Sequence, residues 1–187
     1  MYSNILGRKI LYSFFTIFAS SVFIASAVNA QQNKYVRISG GAGFPDMIFA
    51  SAKFQVSDRA WIGFSGGNYP FDKGSLLSLG GEFELDFHQR EGTEAWKPIW
   101  FWREGAMYLG DQKERSSDTY IYLNTTFGAR FYVFKEFGLS AEVGFASQLY
   151  HQKEEIYPGV TGWNFDFEKR TFYPAARIEI FTLVGPL

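Results

Sequence analysis

The segment from Gly138 to Tyr150 alternates between apolar and polar residues over a length that fits a single β-strand. Its two faces consist of Leu139, Ala141, Val143, Phe145 and Leu149 on one side and Ser140, Glu142, Gly144, Ala146 and Gln148 on the other. A period of two residues indicates a strand with one apolar and one polar face. Tilted strands of about ten residues are long enough for a closed barrel to cross a lipid bilayer. The pattern therefore predicts a barrel strand whose two faces meet different surroundings.

Eight such segments follow one another between Lys34 and Thr182. We predict strands over residues 34–42, 47–56, 60–67, 75–87, 96–109, 118–134, 138–150 and 171–182. The connections after the second and sixth strands are short, whereas those after the third, fifth and seventh strands are longer. Short turns at one end and long loops at the other are typical of transmembrane barrels, and the connection over 88–94 is the exception. The chain is thus predicted to be an all-β, eight-stranded, antiparallel, up-and-down transmembrane β-barrel.

The polar faces of the predicted strands carry charged residues beside Gly, Ser, Thr and Asn, a mixture that suits a narrow lumen. The charged residues on these faces are Arg37, Lys53, Glu82, Glu84, Asp86, Arg130, Glu142, Arg177 and Glu179. An eight-stranded barrel is just wide enough for side chains to fill, and buried charges are tolerated only when they are paired. We therefore predict a structural ion-pair network that plugs the lumen. Two alternatives remain open: a narrow gated channel, and a soluble lipocalin-like barrel with its apolar faces inside.

Aromatic residues make up 20% of the chain, and membrane barrels place such residues in girdles at both interfaces. The tryptophans predicted to lie in these girdles are Trp61, Trp96, Trp100 and Trp102, the alternative being an aromatic platform for a ligand. The fifth strand carries a charge on either face, at Arg103 and Glu104. A β-bulge near Arg103–Gly105 would resolve this conflict, as would an outer half that lies above the hydrocarbon.

The first thirty residues have the features of an export signal. Arg8 and Lys9 precede an apolar run over Ile10–Val28, and Ala27–Ala30 supplies small residues for cleavage. We predict a cleaved signal peptide over 1–30 and a single barrel domain over 31–187, the alternative being an uncleaved anchor helix. The chain has no cysteine, which excludes disulfides, thiol chemistry and a lipoprotein anchor.

The hairpin formed by Phe127–Tyr132 and Gly138–Gly144, together with the signal peptide and the eight strands, resembles the OmpA/OmpX-like family of small outer-membrane β-barrels. The resemblance covers the mature chain and rests on pattern, without a unique motif. It implies a multi-pass location in the bacterial outer membrane, in contact with outer-membrane lipid and lipopolysaccharide. It also implies insertion by the barrel-assembly machinery with periplasmic chaperones. Family members serve in adhesion, envelope integrity or contact with a host.

The sequence gives little support for an enzymatic activity. A lipid A-modifying barrel, an acyltransferase or deacylase, would need a histidine beside a serine and a carboxylate at the outer leaflet. The chain has two histidines, His88 at the predicted periplasmic end and His151 at the outer rim near Ser116, Ser117 and Asp118. No ligand spacing indicates a metal, no cofactor is predicted, and the near-neutral charge points to no nucleic-acid partner.

The longest predicted loop, residues 151–170, has the composition of a recognition surface, because aromatic side chains stand among mixed charges. The residues predicted to contact a surface ligand are Tyr157, Trp163, Phe165 and Phe167. The alternative is that these side chains only pack over the barrel mouth or belong to the eighth strand.

Overall fold

The computed structural model describes residues 35–68, 75–88, 97–112, 116–155 and 172–185. The predicted signal peptide, Met1–Ala30, lies outside these ranges. Eight strands are present: β1 (Val36–Phe44), β2 (Met47–Gln55), β3 (Ala60–Asn68), β4 (Ser75–Asp86), β5 (Ile99–Gln112), β6 (Ser116–Tyr132), β7 (Phe137–Glu155) and β8 (Phe172–Val184). The same ranges contain no helix that is long and apolar enough to cross a membrane.

The strands form one closed antiparallel barrel in which each strand pairs with its neighbours in sequence. The barrel closes where β1 pairs with β8, from Val36 opposite Val184 to Phe44 opposite Ala176. This arrangement confirms the predicted fold class and strand order. The end that holds Val36 and Val184 is called here the terminal end, and the opposite end is called the loop end.

The strands β6 and β7 extend beyond β8 at the loop end, and β5 accompanies β6 as far as Gln112 opposite Ser117. Their ladder continues to Ser116 opposite Glu155, whereas β7 pairs with β8 only as far as Ser147 opposite Phe172. The first connection at this end is short, and its Asp46 side chain is buried. The longer connection predicted after the fifth strand is wrong, because β6 begins at Ser116, only four positions after β5 ends at Gln112. The connections at the loop end are therefore not all long loops.

The alternation in each strand places charged side chains inside the barrel and apolar side chains outside. Among the exposed outward residues are Ile38, Phe54, Phe64, Leu77, Leu79, Phe127, Leu139, Val143, Phe145, Ile178 and Ile180. Because side chains alternate with a period of two, a single register shift would exchange these two sets. The register fixes which residues can form a site.

One of the two explanations offered for the charges of the fifth strand, a β-bulge near Arg103–Gly105, is wrong. Through this segment β5 pairs in unbroken register with both β4 and β6, and Arg103 faces inward while Glu104 faces outward. Outward Glu104 is accommodated because Thr125 donates a hydrogen bond to its carboxylate. A register shift occurs instead between Ile121 and Tyr122, where β6 meets β7.

The close approach of the β7 and β6 backbones explains why a glycine, Gly144, occupies one inward position of β7. A Cβ atom at Gly144 would lie against the carbonyl oxygen of Thr125 and 2.7 Å from the Cα of Thr126, so the clash would be with the backbone of β6. At Gly81, on the outer surface of β4, a Cβ atom would meet nothing within 4 Å. These two glycines therefore form a matched pair for testing the packing of the strands.

We expect Gly144→Ala to destabilise the folded barrel by about 1–3 kcal/mol, the usual cost of overpacking. Gly81→Ala should be neutral or slightly stabilising, because Ala reduces the freedom of the unfolded chain at no steric cost. Urea unfolding of the refolded protein in detergent would measure both. Equal stability of the two variants would contradict the close approach of β7 to β6.

Candidate functional site: a charged lumen

All nine charged residues predicted for the lumen lie inside the barrel, and the structure brings them together. Each of these side chains is buried, as are two further charged residues of the interior, Arg103 and Asp46. Such a concentration of charge is costly unless each group meets a partner of opposite sign. The contacts arrange the charges into two clusters joined by one lysine.

The first cluster lies toward the terminal end and centres on Glu84. Arg37 Nη2 lies 2.6 Å from Glu84 Oε2, and Arg130 pairs with the other oxygen of the same carboxylate. Arg130 Nη1 also lies 3.2 Å from Asp86 Oδ2. One carboxylate thus pairs with two guanidinium groups, and Asp86 supplies the second negative charge that balances them.

The second cluster lies nearer the loop end and centres on Arg177. Its guanidinium group contacts Glu82 at 2.9 Å, Glu179 at 2.5 Å and Asp46 at 3.2 Å. Arg103 Nη2 lies 2.7 Å from Glu142 Oε1 in the same cluster. Arg177 is therefore surrounded by carboxylates from β4, β8 and the β1–β2 connection.

Lys53 joins the two clusters. Its Nζ lies 2.8 Å from Glu84 Oε2 in the first cluster and 2.9 Å from Glu82 Oε2 in the second. A contact of 3.6 Å to Glu179 completes its surroundings. The charges therefore form one continuous network that crosses the middle of the lumen.

Aromatic rings line the charged network and cover the arginines. The Arg37 guanidinium carbon lies 4.7 Å from the centre of the Trp61 ring, and that of Arg177 lies 3.7 Å from the Phe49 ring. Weakly hydrated, planar guanidinium groups pack favourably on such faces. The rings therefore fill the space between the ion pairs.

The prediction that Trp61 lies in an interfacial girdle is wrong. Its side chain is 4% exposed and donates a hydrogen bond from Nε1 to Asp86 Oδ2 inside the barrel at 3.0 Å. Trp61 shares its strand face with the small residues Gly63 and Ser65. These small residues indicate that the face lines the lumen, whereas tryptophan as a residue type suggested the membrane interface. Trp100 and Trp102 do face outward, and Trp96 lies outside the described residues.

Arg103 and Asp46 were missed by sequence reasoning for different reasons. Arg103 shares its face with Phe101, an apolar residue, so the alternation of β5 did not mark that face as polar. Asp46 lies in a turn, where alternation has no meaning. Burial raises the pKa of the Asp46 carboxyl, and the charge of Arg177 opposes that effect.

The loop end of the lumen is lined by aromatic side chains. Tyr122 packs edge-on against Phe44 and Tyr173, with ring centres 6.2 and 6.1 Å apart. The ring of His151 stacks on Tyr120 at 4.5 Å, and its Nε2 lies 3.4 Å from Asp118 Oδ1. The predicted recognition residues Tyr157, Trp163, Phe165 and Phe167 lie outside the described part of the chain.

The described residues do not assemble a recognisable catalytic or metal centre. They contain no group of three or more His, Asp or Glu side chains that could hold a metal ion. His88 Nε2 contacts the carbonyl oxygen of Pro98 at 3.1 Å, at the opposite end from His151. What the lumen can do chemically is hold opposite charges together across strands that are distant in sequence.

Comparison with known proteins bears on the fold. No protein-family model matches this chain, and no curated protein sequence matches it. Neisserial surface protein A (NspA) is a similar solved structure, with a TM-score of 0.45, 15% identity and coverage of 82% of this chain and 97% of NspA. The N-terminal β-barrel domain of Pseudomonas aeruginosa OprF has a TM-score of 0.52 and 14% identity, over 80% of this chain and 98% of that domain. The chain therefore has the closed eight-stranded fold of the small outer-membrane β-barrels that its sequence pattern resembles.

Proposed function

We propose that this chain is an outer-membrane β-barrel protein that crosses the bilayer with its eight strands, has no open pore, and serves a structural or surface-contact role. The observation that carries the proposal is the distribution of charge and apolar surface. Val143 is 67% exposed on the outside, whereas Arg177 is 1% exposed inside. A soluble lipocalin-like barrel needs the opposite arrangement, an apolar interior and a polar surface. A lipid environment suits the outer surface that this barrel has.

The proposed plug is the ion-pair network of the lumen. Lys53 holds Glu82 and Glu84 together at the centre, and Arg37, Arg130, Arg103 and Arg177 occupy the space on either side. An ion that entered the lumen would have to displace these side chains from partners at 2.5–3.2 Å. The network therefore supports a closed barrel over a channel.

We expect the refolded protein to give no discrete single-channel steps in planar bilayers. Insertion would be checked in parallel by heat modifiability, since a folded barrel migrates differently on SDS gels before and after boiling. Absence of steps together with a heat-modifiable band fits the closed barrel. Discrete steps of reproducible size would contradict the plug while leaving the membrane barrel intact.

A surface-contact role is supported by the projection of β6 and β7 at the loop end. This ladder carries the chain beyond the last pair of β7 with β8, Ser147 and Phe172. The predicted recognition loop, residues 151–170, begins within this ladder, because β7 continues to Glu155. We propose that this loop contacts a partner outside the cell. Deletion of residues 159–164 should then abolish contact with the surface partner and leave the heat-modifiable band unchanged.

The proposed role is non-enzymatic. In the described part of the chain, neither His88 nor His151 has a serine hydroxyl as a hydrogen-bond partner. His151 on β7 contacts the carboxylate of Asp118 on β6, a pair that contains no nucleophile. Changes in the acyl chains of lipid A on incubation with the purified barrel would contradict this part of the proposal.

A further inference from the structure

We propose that the carboxyl group of Asp46 binds a proton inside the lumen, so that mild acid strengthens the barrel and rising pH weakens it. The inference concerns the interior of the barrel and goes beyond the role proposed for its surface. Asp46 lies in the short connection between β1 and β2, and its side chain is 2% exposed.

The lumen network contains one carboxyl group more than its cations can neutralise. In the first cluster, Glu84 and Asp86 face Arg37 and Arg130. The second cluster has four carboxyl groups but only two arginines, and Lys53 supplies its third cation. A surplus negative charge is costly away from water, and a buried carboxyl group avoids that cost by keeping its proton. A proton is therefore expected in the second cluster.

Asp46 is the carboxyl group of the second cluster with the fewest cations beside it. Among the residues that the structure describes, Arg177 alone lies within ion-pair distance of its carboxylate, at 3.2 Å. The other carboxyl groups of this cluster each have two or three cations within 3.7 Å, and they are Glu82, Glu142 and Glu179. The geometry therefore places the proton on Asp46.

The charges around Asp46 do not restore the acidity of an exposed aspartate. Arg177 on β8, Arg103 on β5 and Lys53 on β2 favour the ionised form, whereas Glu82 on β4 opposes it. Burial has the largest effect, and it raises the pKa of the Asp46 carboxyl. The folded barrel therefore binds this proton more tightly than the unfolded chain does.

The direction of the pH effect follows from this difference in proton binding. A carboxyl group whose pKa is higher in the folded state gives its full stabilisation below the pKa of the unfolded state. This stabilisation is lost as the pH rises through the pKa of the folded state. The pH window therefore begins at the ordinary pKa of aspartate and extends upward.

The turn that carries Asp46 is the part of the barrel that responds. Every other charged residue of the two clusters, and Lys53, lies on a strand and is fixed by a ladder of backbone hydrogen bonds. The Asp46 backbone is held at its carbonyl oxygen, which accepts a hydrogen bond of 3.2 Å from Ser78 Oγ. Ionisation of Asp46 can therefore loosen this turn without breaking a strand pair.

Urea unfolding in detergent, from about pH 4 to about pH 8, tests the proposal with Asp46→Asn. An amide has nearly the shape of a neutral carboxyl group and does not ionise. We expect the two urea midpoints to coincide at the acid end, and that of Asp46→Asn to become the higher as the pH rises. A difference that does not change with pH, or a natural chain that is the more stable at about pH 8, would overturn the proposal.

Glu136→Gln is the matched control, because it makes the same chemical change in an exposed turn. Its midpoint should stay parallel to that of the natural chain at every pH. Equal divergence of the two variants from the natural chain would overturn a specific role of Asp46.

Infrared spectroscopy tests the proton directly and does not depend on the folding of Asp46→Asn. Glu104 is replaced by glutamine throughout, because this partly buried carboxyl group on the outer surface could give a similar band. At about pH 5 we expect the carbonyl band of a neutral carboxylic acid, which disappears as the pH rises and is missing from folded Asp46→Asn. Absence of the band at about pH 5 would overturn the proposal, as would its persistence in Asp46→Asn. If Asp46→Asn lost its heat-modifiable band, the titration of the Glu104→Gln barrel would decide alone.

Discussion

Replacing Glu84 by alanine is expected to destabilise the barrel by about 3–5 kcal/mol, the cost of breaking a buried ion pair from one side. The carboxylate of Glu84 contacts Arg37, Lys53 and Arg130 at once. Its removal leaves three buried cations that share fewer carboxylates. The effect would be measured as a fall in the urea midpoint in detergent and in the temperature at which the unboiled band disappears.

The matched control for this variant is Glu136→Ala. Glu136 is exposed in the turn between β6 and β7, so its replacement removes the same charge without uncovering a buried partner. We expect a change within about 0.5 kcal/mol. Identical melting of Glu84→Ala and Glu136→Ala would show that the network contributes nothing to stability.

A double variant separates pairing from the loss of a single charge. Combined replacement of Glu84 and Arg130 by methionine should cost less than the sum of the two single replacements, by about 0.5–3 kcal/mol. The reason is that each single variant leaves the other charge buried with one partner fewer. Additive effects would mean that the contact between the two side chains is energetically unimportant.

The facing of the strands could be predicted from the sequence because alternation is a strong constraint. In β4, Glu82, Glu84 and Asp86 share one face and apolar residues share the other. One shift of register would bury the apolar set and expose all three carboxylates. The same argument placed Arg37, Lys53, Arg130, Glu142, Arg177 and Glu179 on the inner face, where the structure has them.

The errors arose where alternation is ambiguous or absent. In β5, charges occur on both faces, so only the neighbouring strands decide the facing, through the Thr125 contact of Glu104 and the Glu142 contact of Arg103. Trp61 was assigned by residue type, although its small neighbours on the same face indicate the lumen. Which acid meets which base depends on the stagger of strands around the closed barrel, and no local pattern contains that information.

Replacing Val143 by arginine is expected to destabilise the barrel in a bilayer by about 2–4 kcal/mol, the cost of a cation on the lipid face near the midplane. Val143 lies near the middle of the part of β7 that pairs with β8, and its side chain is 67% exposed on the outer surface. On a soluble barrel an exposed Val→Arg change costs little. The size of the effect therefore distinguishes a surface that contacts lipid from one that contacts water.

Val184→Arg is the matched control, because Val184 also faces outward but ends β8 at the terminal end of the barrel. There an arginine can reach the polar headgroups, and the expected cost falls to about 0–1 kcal/mol. Urea unfolding in phospholipid vesicles would compare the two variants with the natural chain. A large cost at Val143 and a small cost at Val184 locates the bilayer around the middle of the barrel. Small and equal costs at both positions would mean that the apolar outer surface does not contact lipid. The basis for the proposed function would then be lost.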